Sequence, residues 1–436
     1  MQPPSPPAYG YPYDGEERPK FVLIEPYAYF AVREDATTAT CSMRGFKGEF
    51  RVTFCTAPPP LVSYMCFEAT KYDHTAFAVA PKILATETNG GLVLLRVVFG
   101  NHPSAVMFPR SREYLVYDAS GPSLTHLPHP GNLRFSDDSL AFLRPLGSTT
   151  CYLLVGHSGG FGYAQPTQLY LYRSDKKVWA VKPLDPSSGR VPCHSTSKAI
   201  TIGGILCTVA WVDLWHSIIT CDLLMKDPKL RSLELPQANL LDSETIDGNP
   251  RAFRDVAFLE GSGSFKYVEM QYPDKEGSPR FVYWEATVWS AKTSSSSAKD
   301  WTPLYKIKSS EIPEPSLPLP PVGPDEAQPA FSDLHIGLPN LSLQDAAMVY
   351  FLCKVHPYDP PACVLAVNMQ KNTVEEVSDF CPMRTLGLSK GYSASSISNF
   401  LKGTKQNQKQ SGTTLLNCPT EKPSSMEYAE ASSMMM

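Results

Sequence analysis

Apolar residues in this chain occur in short runs that are separated by turn residues. Phe21–Pro26, Gly48–Cys55 and Val62–Glu68 are typical runs, and clusters of Gly, Pro, Asp and Ser lie between them. Short runs rich in β-branched and aromatic residues, bounded by turn residues, indicate β-strands. Before residue 390 a helical apolar period is seen only over a turn or two, at Ser136–Leu143 and Leu343–Val349. The pattern predicts an all-β protein.

The runs form an imperfect repeat in which each unit shows three strands. In each unit the first two strands are apolar at nearly every position and the last alternates, which is typical of two covered strands followed by an edge strand. Tyr117, Tyr172 and Cys221 lie in successive middle strands at a spacing of roughly 50 residues, which suits a four-stranded propeller blade. We therefore expect a β-propeller-like fold with about five to seven four-stranded blades and disordered termini. The middle strands of the units are predicted at Glu113–Asp118, Gln168–Arg173, Ser217–Asp222, Phe281–Glu285 and Cys363–Asn368.

The composition changes at both ends of the chain. Residues 1–20 are rich in Pro and Tyr, and we expect them to form a disordered arm. Residues 21–389 are predicted to form a single propeller-like domain. The Pro-rich stretch 310–329 is predicted to be a loop between blades, because the strand pattern resumes at Phe331. Residues 390–436 are polar and are predicted to be a largely disordered tail.

Charge and segment composition narrow the classes of partner. The net charge is −4, and Lys and Arg form no dense cluster, so a nucleic-acid partner is not expected. No apolar run approaches the roughly 18 residues that a membrane span needs. The start Met1–Pro7 lacks the charged and apolar regions of a secretory signal. We expect a cytoplasmic or nuclear protein that does not bind a membrane.

The eleven cysteines give no metal-binding pattern. No Cys-x-x-Cys occurs, and Cys41, Cys55 and Cys66 are too widely spaced to suggest zinc. The cysteines are interpreted as buried thiols that pack as small apolar side chains. No metal ligand and no cofactor-binding residue is predicted.

Ser158 is the sharpest catalytic hint. Gly156–Gly160 matches the Gly-x-Ser-x-Gly nucleophile elbow and follows an apolar strand. That elbow needs a helix directly after the serine, whereas Phe161–Pro166 cannot form one. The preferred interpretation places Ser158 in a loop between strands, and a serine hydrolase using Ser158 stays open as an alternative.

The other chemistry-bearing residues favour structural roles. Adjacent residues in a strand point to opposite faces, so Cys193 and His194 are not expected to form a thiolate–imidazole pair. His126 and His129 flank a Pro-rich turn and are predicted to be surface residues. Gly90-Gly91 and Gly203-Gly204 are not followed by a phosphate-binding helix. No catalytic residue is predicted. The turn carboxylates are Asp118, Asp137, Asp138, Asp213 and Asp222, and the predicted packing tryptophans are Trp179, Trp289 and Trp301.

Several segments resemble a plant family, expanded in grasses, known as domain of unknown function 1618 (DUF1618). They are Pro58–Tyr64, the Arg-containing strand Phe253–Phe258, the Trp-bearing strands between Trp284 and Trp301, and the closing unit Leu338–Met369. The resemblance covers roughly residues 20–385 and implies a fold rather than an activity. The units are also similar to those of F-box-associated and kelch-type propellers, which act as adaptors.

These observations predict a non-enzymatic interaction module. The expected partner is an unidentified protein that binds through the propeller loops, and the protein is expected to be a monomer without cofactors. A carbohydrate-binding propeller, suggested by the aromatic residues, is a further alternative.

Overall fold

The computed structural model describes 26 strands, short 3₁₀ helices and no α-helix in the part of the chain that it covers. The described residues are 3–10, 18–87, 91–131, 133, 135–148, 151–158, 168–182, 184, 195–236, 249–272, 283–319, 330–358, 361–381 and 391–401. All of them lie in one compact unit, Met1–Lys405. The all-β prediction is confirmed.

The strands form a six-bladed β-propeller. Five blades are four-stranded antiparallel sheets whose order follows the chain. Blade 2 is β6 (Phe77–Thr86), β7 (Leu92–Phe99), β8 (Arg112–Asp118) and β9 (Ser123–His126), and blade 3 is β10 (Ala141–Leu143), β11 (Leu153–Ser158), β12 (Gln168–Arg173) and β13 (Val178–Lys182). Blade 4 is β14 (Lys198–Gly203), β15 (Thr208–Asp213), β16 (Ser217–Asp222) and β17 (Leu230–Glu234). Blade 5 is β18 (Arg254–Leu259), β19 (Ser264–Gln271), β20 (Glu285–Lys292) and β21 (Thr302–Lys308), and blade 6 is β22 (His335–Leu341), β23 (Met348–Lys354), β24 (Ala362–Asn368) and β25 (Thr373–Phe380).

Blade 1 joins the two ends of the propeller. Its sheet has the order β26-β1-β5-β4-β3, and β2 pairs with β5. Val22 to Ile24 of β1 pair antiparallel with Ser395 to Ser393 of β26, so a strand from the far end of the domain closes the ring. The strands are β1 (Val22–Ile24), β2 (Tyr29–Phe30), β3 (Ala39–Cys41), β4 (Phe50–Cys55), β5 (Val62–Ala69) and β26 (Ser393–Ser395).

Apolar clusters fill the spaces between neighbouring blades. The second strands are buried on both faces, as β7 and β23 show, whereas the outer strand β13 is largely exposed. Trp211 of blade 4 packs with Leu143 of blade 3, and Trp284 of blade 5 packs with Phe351 of blade 6. Because every blade covers its neighbours, the apolar strands that the sequence shows become one continuous ring of core.

The repeat pattern did not show the innermost strand of the blades. In blade 5 that strand, β18, was expected only as the Arg-containing strand Phe253–Phe258 of the family resemblance. The predicted units correspond to the second, third and fourth strands, and β6, β10, β14, β18 and β22 lie inside them. The predicted middle strand Phe281–Glu285 is wrong, since the third strand of blade 5 is β20 (Glu285–Lys292). In blade 4 the predicted first strand, Gly203–Cys207, is mostly the turn that precedes β15. Gly203 and Gly204 adopt φ of 78° and 74°, a left-handed conformation that favours glycine.

The predicted boundary of the tail at residue 390 is wrong for residues 391–401. Tyr392, Ile397 and Leu401 are buried, and β26 lies in the sheet of blade 1. The Ser-Ala-Ser sequence of β26 has no apolar pattern that predicts a strand. β26 is held by backbone pairing with β1, which does not depend on apolar side chains. The rest of the tail, 402–436, lies outside the described residues.

The predicted disordered arm is also partly wrong. Tyr64 donates its hydroxyl to the carbonyls of Pro7 and Tyr9 at 2.8 and 2.9 Å, and Tyr9 donates to Val62 at 3.0 Å. The rings of Tyr9 and Tyr64 meet edge to face at 6.1 Å. Residues 3–10 therefore pack on blade 1, because the tyrosines that suggested a loose arm find partners there.

The Pro-rich stretch lies between β21 and β22, as predicted. Its first part packs into the core, since Ile312 and Leu319 are buried among residues of blades 5 and 6. Residues 320–329 lie outside the described part of the chain.

Candidate functional site

The connections between strands are unequal at the two ends of the propeller. Neighbouring strands in a blade are antiparallel, and each blade repeats the same strand order. The connection from the second to the third strand therefore lies at the same end of the propeller as the connection from the fourth strand to the next blade. We call this the loop end. The connections that follow β7, β17 and β21 belong to it, and their described residues are 100–111, 235–236, 249–253, 309–319 and 330–334. The opposite end carries tight turns such as 174–177 and 204–207. The chain thus concentrates its extra length at one end of the propeller.

The connection 100–111 presents two apolar side chains to solvent. Met107 is 73% exposed and Phe108 is 60% exposed. They lie at the junction of two 3₁₀ helices, Pro103–Met107 and Pro109–Ser111. Arg112 fixes the segment by donating from Nε to the carbonyl of Val106 at 2.7 Å. The loop is hydrogen-bonded into a defined shape with an apolar tip.

A cavity of about 310 Å³ lies on the axis of the propeller. Its walls come from the innermost strand of each blade or the residues beside it, represented by Lys82, Asp138, Lys198, Asp255, Leu341 and Ser395. The cavity is therefore the central channel, and its charged groups cluster near the starts of β10, β14 and β18.

Hydrogen bonds and ion pairs join neighbouring blades around the channel. Nζ of Lys198 donates to Oδ1 of Asp255 at 2.5 Å, and the backbone N–H of Leu341 donates to Oδ2 at 3.1 Å. Asp255 thereby links blades 4, 5 and 6. Lys82 of blade 2 lies 3.5 Å from Asp138, just before blade 3.

Arg254 makes a second link between blades 4 and 5. It donates to Glu269 of its own blade at 2.6 Å and to the carbonyl of Leu214 at 3.0 Å. Its guanidinium lies 5.3 Å from the ring centre of Trp215. The Arg-containing strand that carried the family resemblance is thus a junction between blades, which gives it a structural role.

Asp137 accepts from several donors beside the channel. Arg96 contacts it closely, Arg112 lies 3.5 Å away, and the hydroxyl of Tyr114 also lies 3.5 Å away. Burial, and then the charge of Asp137, raise the pKa of Tyr114 to about 12. The group holds β8 against the start of blade 3.

Ser158 is the last residue of β11 and pairs with Gln168 of β12, so the interpretation that placed it in a loop between strands is wrong. Its Oγ accepts from the backbone N–H of Gln168 at 3.0 Å, across the start of the β11–β12 pair. A side chain at Gly156 would place Cβ 2.9 Å from Leu140, so packing accounts for that glycine. Buried His157 lies 2.7 Å from Thr196 through Nε2 and packs on Trp211. The motif therefore has structural explanations at three of its positions.

The other sequence candidates are dispersed. His126 lies 2.7 Å from Glu113, and Nε2 of His129 lies 2.9 Å from the carbonyl oxygen of Pro109. Asp118 and Asp213 accept backbone N–H groups of their own turns, and Asp222 pairs with Arg231. That pair lowers the pKa of Asp222. Residues 193 and 194 lie outside the described part of the chain.

The predicted packing tryptophans differ in burial. Trp301 is 5% exposed and donates to the carbonyl of Glu234 in blade 4, and its packing role is confirmed. Trp179 is half-buried and stacks on Phe135, and its Nε1 donates to the carbonyl of Pro128 at 3.0 Å. Both partners lie in the connection between blades 2 and 3. Trp289 is half-buried in the cluster between blades 4 and 5.

Most described cysteines are free thiols, and several are buried. Burial raises the pKa of Cys41 to about 11 and that of Cys221 to about 12, which keeps both protonated. Cys381 departs from this pattern, since it is disulfide-bonded. Within the described residues, no group of three or more His, Cys, Asp or Glu side chains could hold a metal ion.

Sequence reasoning missed the charged residues of the channel. Lys82, Asp138, Lys198, Arg251 and Asp255 come from well-separated parts of the chain, and only the ring of inner strands brings them together. The Arg254-Asp255 pair within an apolar strand was the one sequence feature that could have indicated these residues. Charged residues are rarely buried without partners, so the pair implies charged or polar groups nearby.

The family described as "Protein of unknown function (DUF1618)" matches residues 211–350. The matched segment begins in β15 and ends in β23, so it covers blade 5 and parts of its two neighbours. The resemblance is confirmed over that segment. No curated protein sequence matches the chain.

Three solved structures that are similar to the chain share 7–10% of its sequence. The Cps50 (Swd1) β-propeller domain of Myceliophteria thermophila has a TM-score of 0.32 and 7% identity, with 71% of this chain and 89% of that chain covered. YjhT has a TM-score of 0.32 and 8% identity over 81% of this chain and 97% of its own. Hydrazine synthase of Kuenenia stuttgartiensis has a TM-score of 0.32 and 10% identity over 67% of this chain, which spans 66% of that chain's length.

No helix in the described part of the chain is long and apolar enough to cross a membrane.

Proposed function

We propose that this protein is a non-enzymatic protein–protein interaction module, an adaptor or scaffold, that binds through the propeller loops of the loop end. The unequal length of the connections is the observation that carries the proposal. A rigid ring that concentrates long connections at one end offers a large surface for recognition, and binding residues are commonly placed on such loops. The tight turns of the opposite end offer less surface.

The tip of connection 100–111 supports a protein as the partner. Exposed Met107 and Phe108 resemble the apolar and aromatic anchors that fill pockets in protein interfaces. Tyr358, 52% exposed in the β23–β24 connection, adds a second aromatic group at this end. Fixing Phe108 within a hydrogen-bonded loop lowers the entropy cost of binding.

The arrangement of polar groups supports a binding role over catalysis. Asp138 and Asp255 each face a lysine, and the Ser158 hydroxyl is engaged by a backbone N–H. General acid–base or nucleophilic catalysis needs a base within reach of the nucleophile. In the described part of the chain, the Ser158 hydroxyl is hydrogen-bonded to a backbone N–H rather than to a base.

A photo-crosslinking experiment tests the proposal. A benzophenone amino acid is placed at Phe108 or Tyr358, or at Ile205 on the opposite end, where the side chain is 75% exposed. The proposal predicts the same discrete adduct from Phe108 and Tyr358 and none from Ile205. Equal adducts at both ends, or none at any position, would contradict it.

A fluorophosphonate probe addresses the serine hydrolase alternative. The proposal predicts no labelling of Ser158, whereas labelling of the wild type that disappears in Ser158→Ala would establish the enzyme. Glycan binding that survives loss of the loop-end apolar groups would favour the carbohydrate-binding alternative.

We further propose that the protein acts as a monomer in the cytoplasm or nucleus, without nucleic-acid or membrane partners. The net charge of −4 argues against a nucleic-acid partner. Light scattering of the purified protein and imaging of a tagged copy test these points.

A further inference from the structure

The channel combines an aliphatic wall with a charged mouth. Leu84, Ala85 and Ile200 contribute partly exposed apolar surface, while Lys82, Lys198 and Arg251 contribute positive charge. The volume of about 310 Å³ lies at the lower end of the range for small-ligand sites, roughly 300–1,000 Å³. The channel can therefore enclose a small ligand that has an apolar part and a charged group at one end.

The described residues that line the channel carry an excess of positive charge. Three cations, Lys82, Lys198 and Arg251, face two carboxylates, Asp138 and Asp255, in a protein whose net charge is −4. Asp255 is occupied by Lys198 at 2.5 Å and by the N–H of Leu341. The negative charge of Asp255 is therefore already paired within the wall of the channel.

The remaining cations are less completely paired. Lys82 lies 3.5 Å from Asp138, and the two side chains are 21% and 45% exposed, so the pair is long and open to solvent. Nη2 of Arg251 donates to the carbonyl of Ser197, and no carboxylate of the described chain lies within ion-pair distance of Arg251. Arg251 is held in position by this bond, which leaves donors of its guanidinium for a planar anion.

We propose that the mouth of the central channel binds a carboxylate, held by Arg251 and Lys82. The carboxylate belongs either to a small organic acid or to an acidic side chain of a protein segment that enters the channel. Both sources supply the same charge and the same planar acceptor, and the aliphatic wall below accommodates the carbon skeleton. This inference does not depend on the apolar tip at Phe108, so the two proposals can fail separately.

Calorimetric titration of the full chain at low ionic strength tests the site. The probes are citrate and a capped tetra-glutamate peptide, with a tetra-glutamine peptide as the neutral control. Wild type should bind at least one acidic probe with saturable heat, and Arg251→Gln and Lys82→Gln should each weaken that binding about tenfold, because a charge-assisted hydrogen bond is lost. Arg173→Gln is the matched control, since Arg173 pairs with Asp175 in a turn of blade 3 and should leave affinity unchanged.

The outcomes separate the two sources and can overturn the proposal. Citrate binding alone identifies a small acid, and peptide binding alone identifies a partner segment. Unchanged melting temperatures show that a variant is folded, and Lys82→Gln still tests the site if Arg251→Gln unfolds. No saturable binding of either acidic probe up to roughly 1 mM, or equal affinity in wild type and both channel variants, would reject the carboxylate site.

Discussion

Trp301 is a residue whose position the sequence predicted and whose contacts the structure explains. It precedes β21 of blade 5, yet its Nε1 donates to the carbonyl of Glu234 in blade 4 at 2.8 Å. Its ring meets Tyr267 edge to face at 5.8 Å. A large side chain that fills the space between two blades couples their stabilities.

Trp301→Ala is therefore expected to be strongly destabilising. The free energy of unfolding should fall by about 3–5 kcal/mol, through lost transfer free energy and a residual cavity. Leu304→Ala, on the same outer strand and 40% exposed, is the control and should change it by about 0.5 kcal/mol or less. Chemical denaturation of both variants gives the comparison, and similar values for the two would contradict the packing of Trp301.

His335 gives the propeller a predicted sensitivity to acid. Burial, and then the charge of His356, lower the pKa of His335 below its ordinary value of 6.5. The unfolded state therefore binds this proton more readily than the folded state does, so stability falls as pH drops below 6.5 and rises again with pH. His335→Gln should flatten the dependence of melting temperature on pH in that range.

His356→Gln separates the two causes of the shift at His335. His356→Gln removes the charge of His356 but leaves His335 buried. It should therefore flatten the dependence of melting temperature on pH less than His335→Gln does. An unchanged profile in His335→Gln would show that other groups set the acid sensitivity.

At the scale of elements, strands were predictable where side chains carry the pattern. β12 and β16 were predicted with the bounds observed, because strands covered on both faces are apolar along their length. The repeat did not show the inner strands, since β10 and β26 are only three residues long and β14 mixes Lys, Thr and Gly. β18 was expected only from the family resemblance. The channel residues were missed for the same reason, because they lie in or beside those strands.

The closure of the ring by β26 can be tested by paired truncations. Removing 391–436 deletes β26 and the buried side chains of Tyr392, Ile397 and Leu401. Burial of three such side chains contributes roughly 4–5 kcal/mol or more, at ~1.5 kcal/mol each. Removing only 402–436 should leave the melting temperature within about 2 °C, as expected for a polar tail. Equal stability of the two truncations would contradict the closure.

At the scale of the whole molecule, the ring makes its blades interdependent. The cluster between blades 5 and 6 includes Ile312 and Leu319 from the Pro-rich connection as well as Trp284 and Phe351. Because blade 1 contains both β1 and β26, each piece of a chain cut between blades 5 and 6 still shares two interfaces with the other.

Cleavage at an engineered protease site within 320–329 should therefore leave the two pieces associated. Size-exclusion chromatography after cleavage is expected to give one peak at the mass of the intact chain. Two independent, folded, monomeric fragments would show that the chain consists of two domains rather than one propeller.

The affinity of the crosslinked partner for loop-end variants tests the central claim most directly. The claim is that this protein binds another protein through the loop end of its propeller, with Phe108 as an anchor. Phe108→Ser should weaken the affinity for the purified partner about tenfold or more, as expected for an interface anchor. Ile205→Ser, at an equally exposed apolar residue of the opposite end, should leave the affinity unchanged. Full affinity in Phe108→Ser, or its loss in Ile205→Ser alone, would contradict the account.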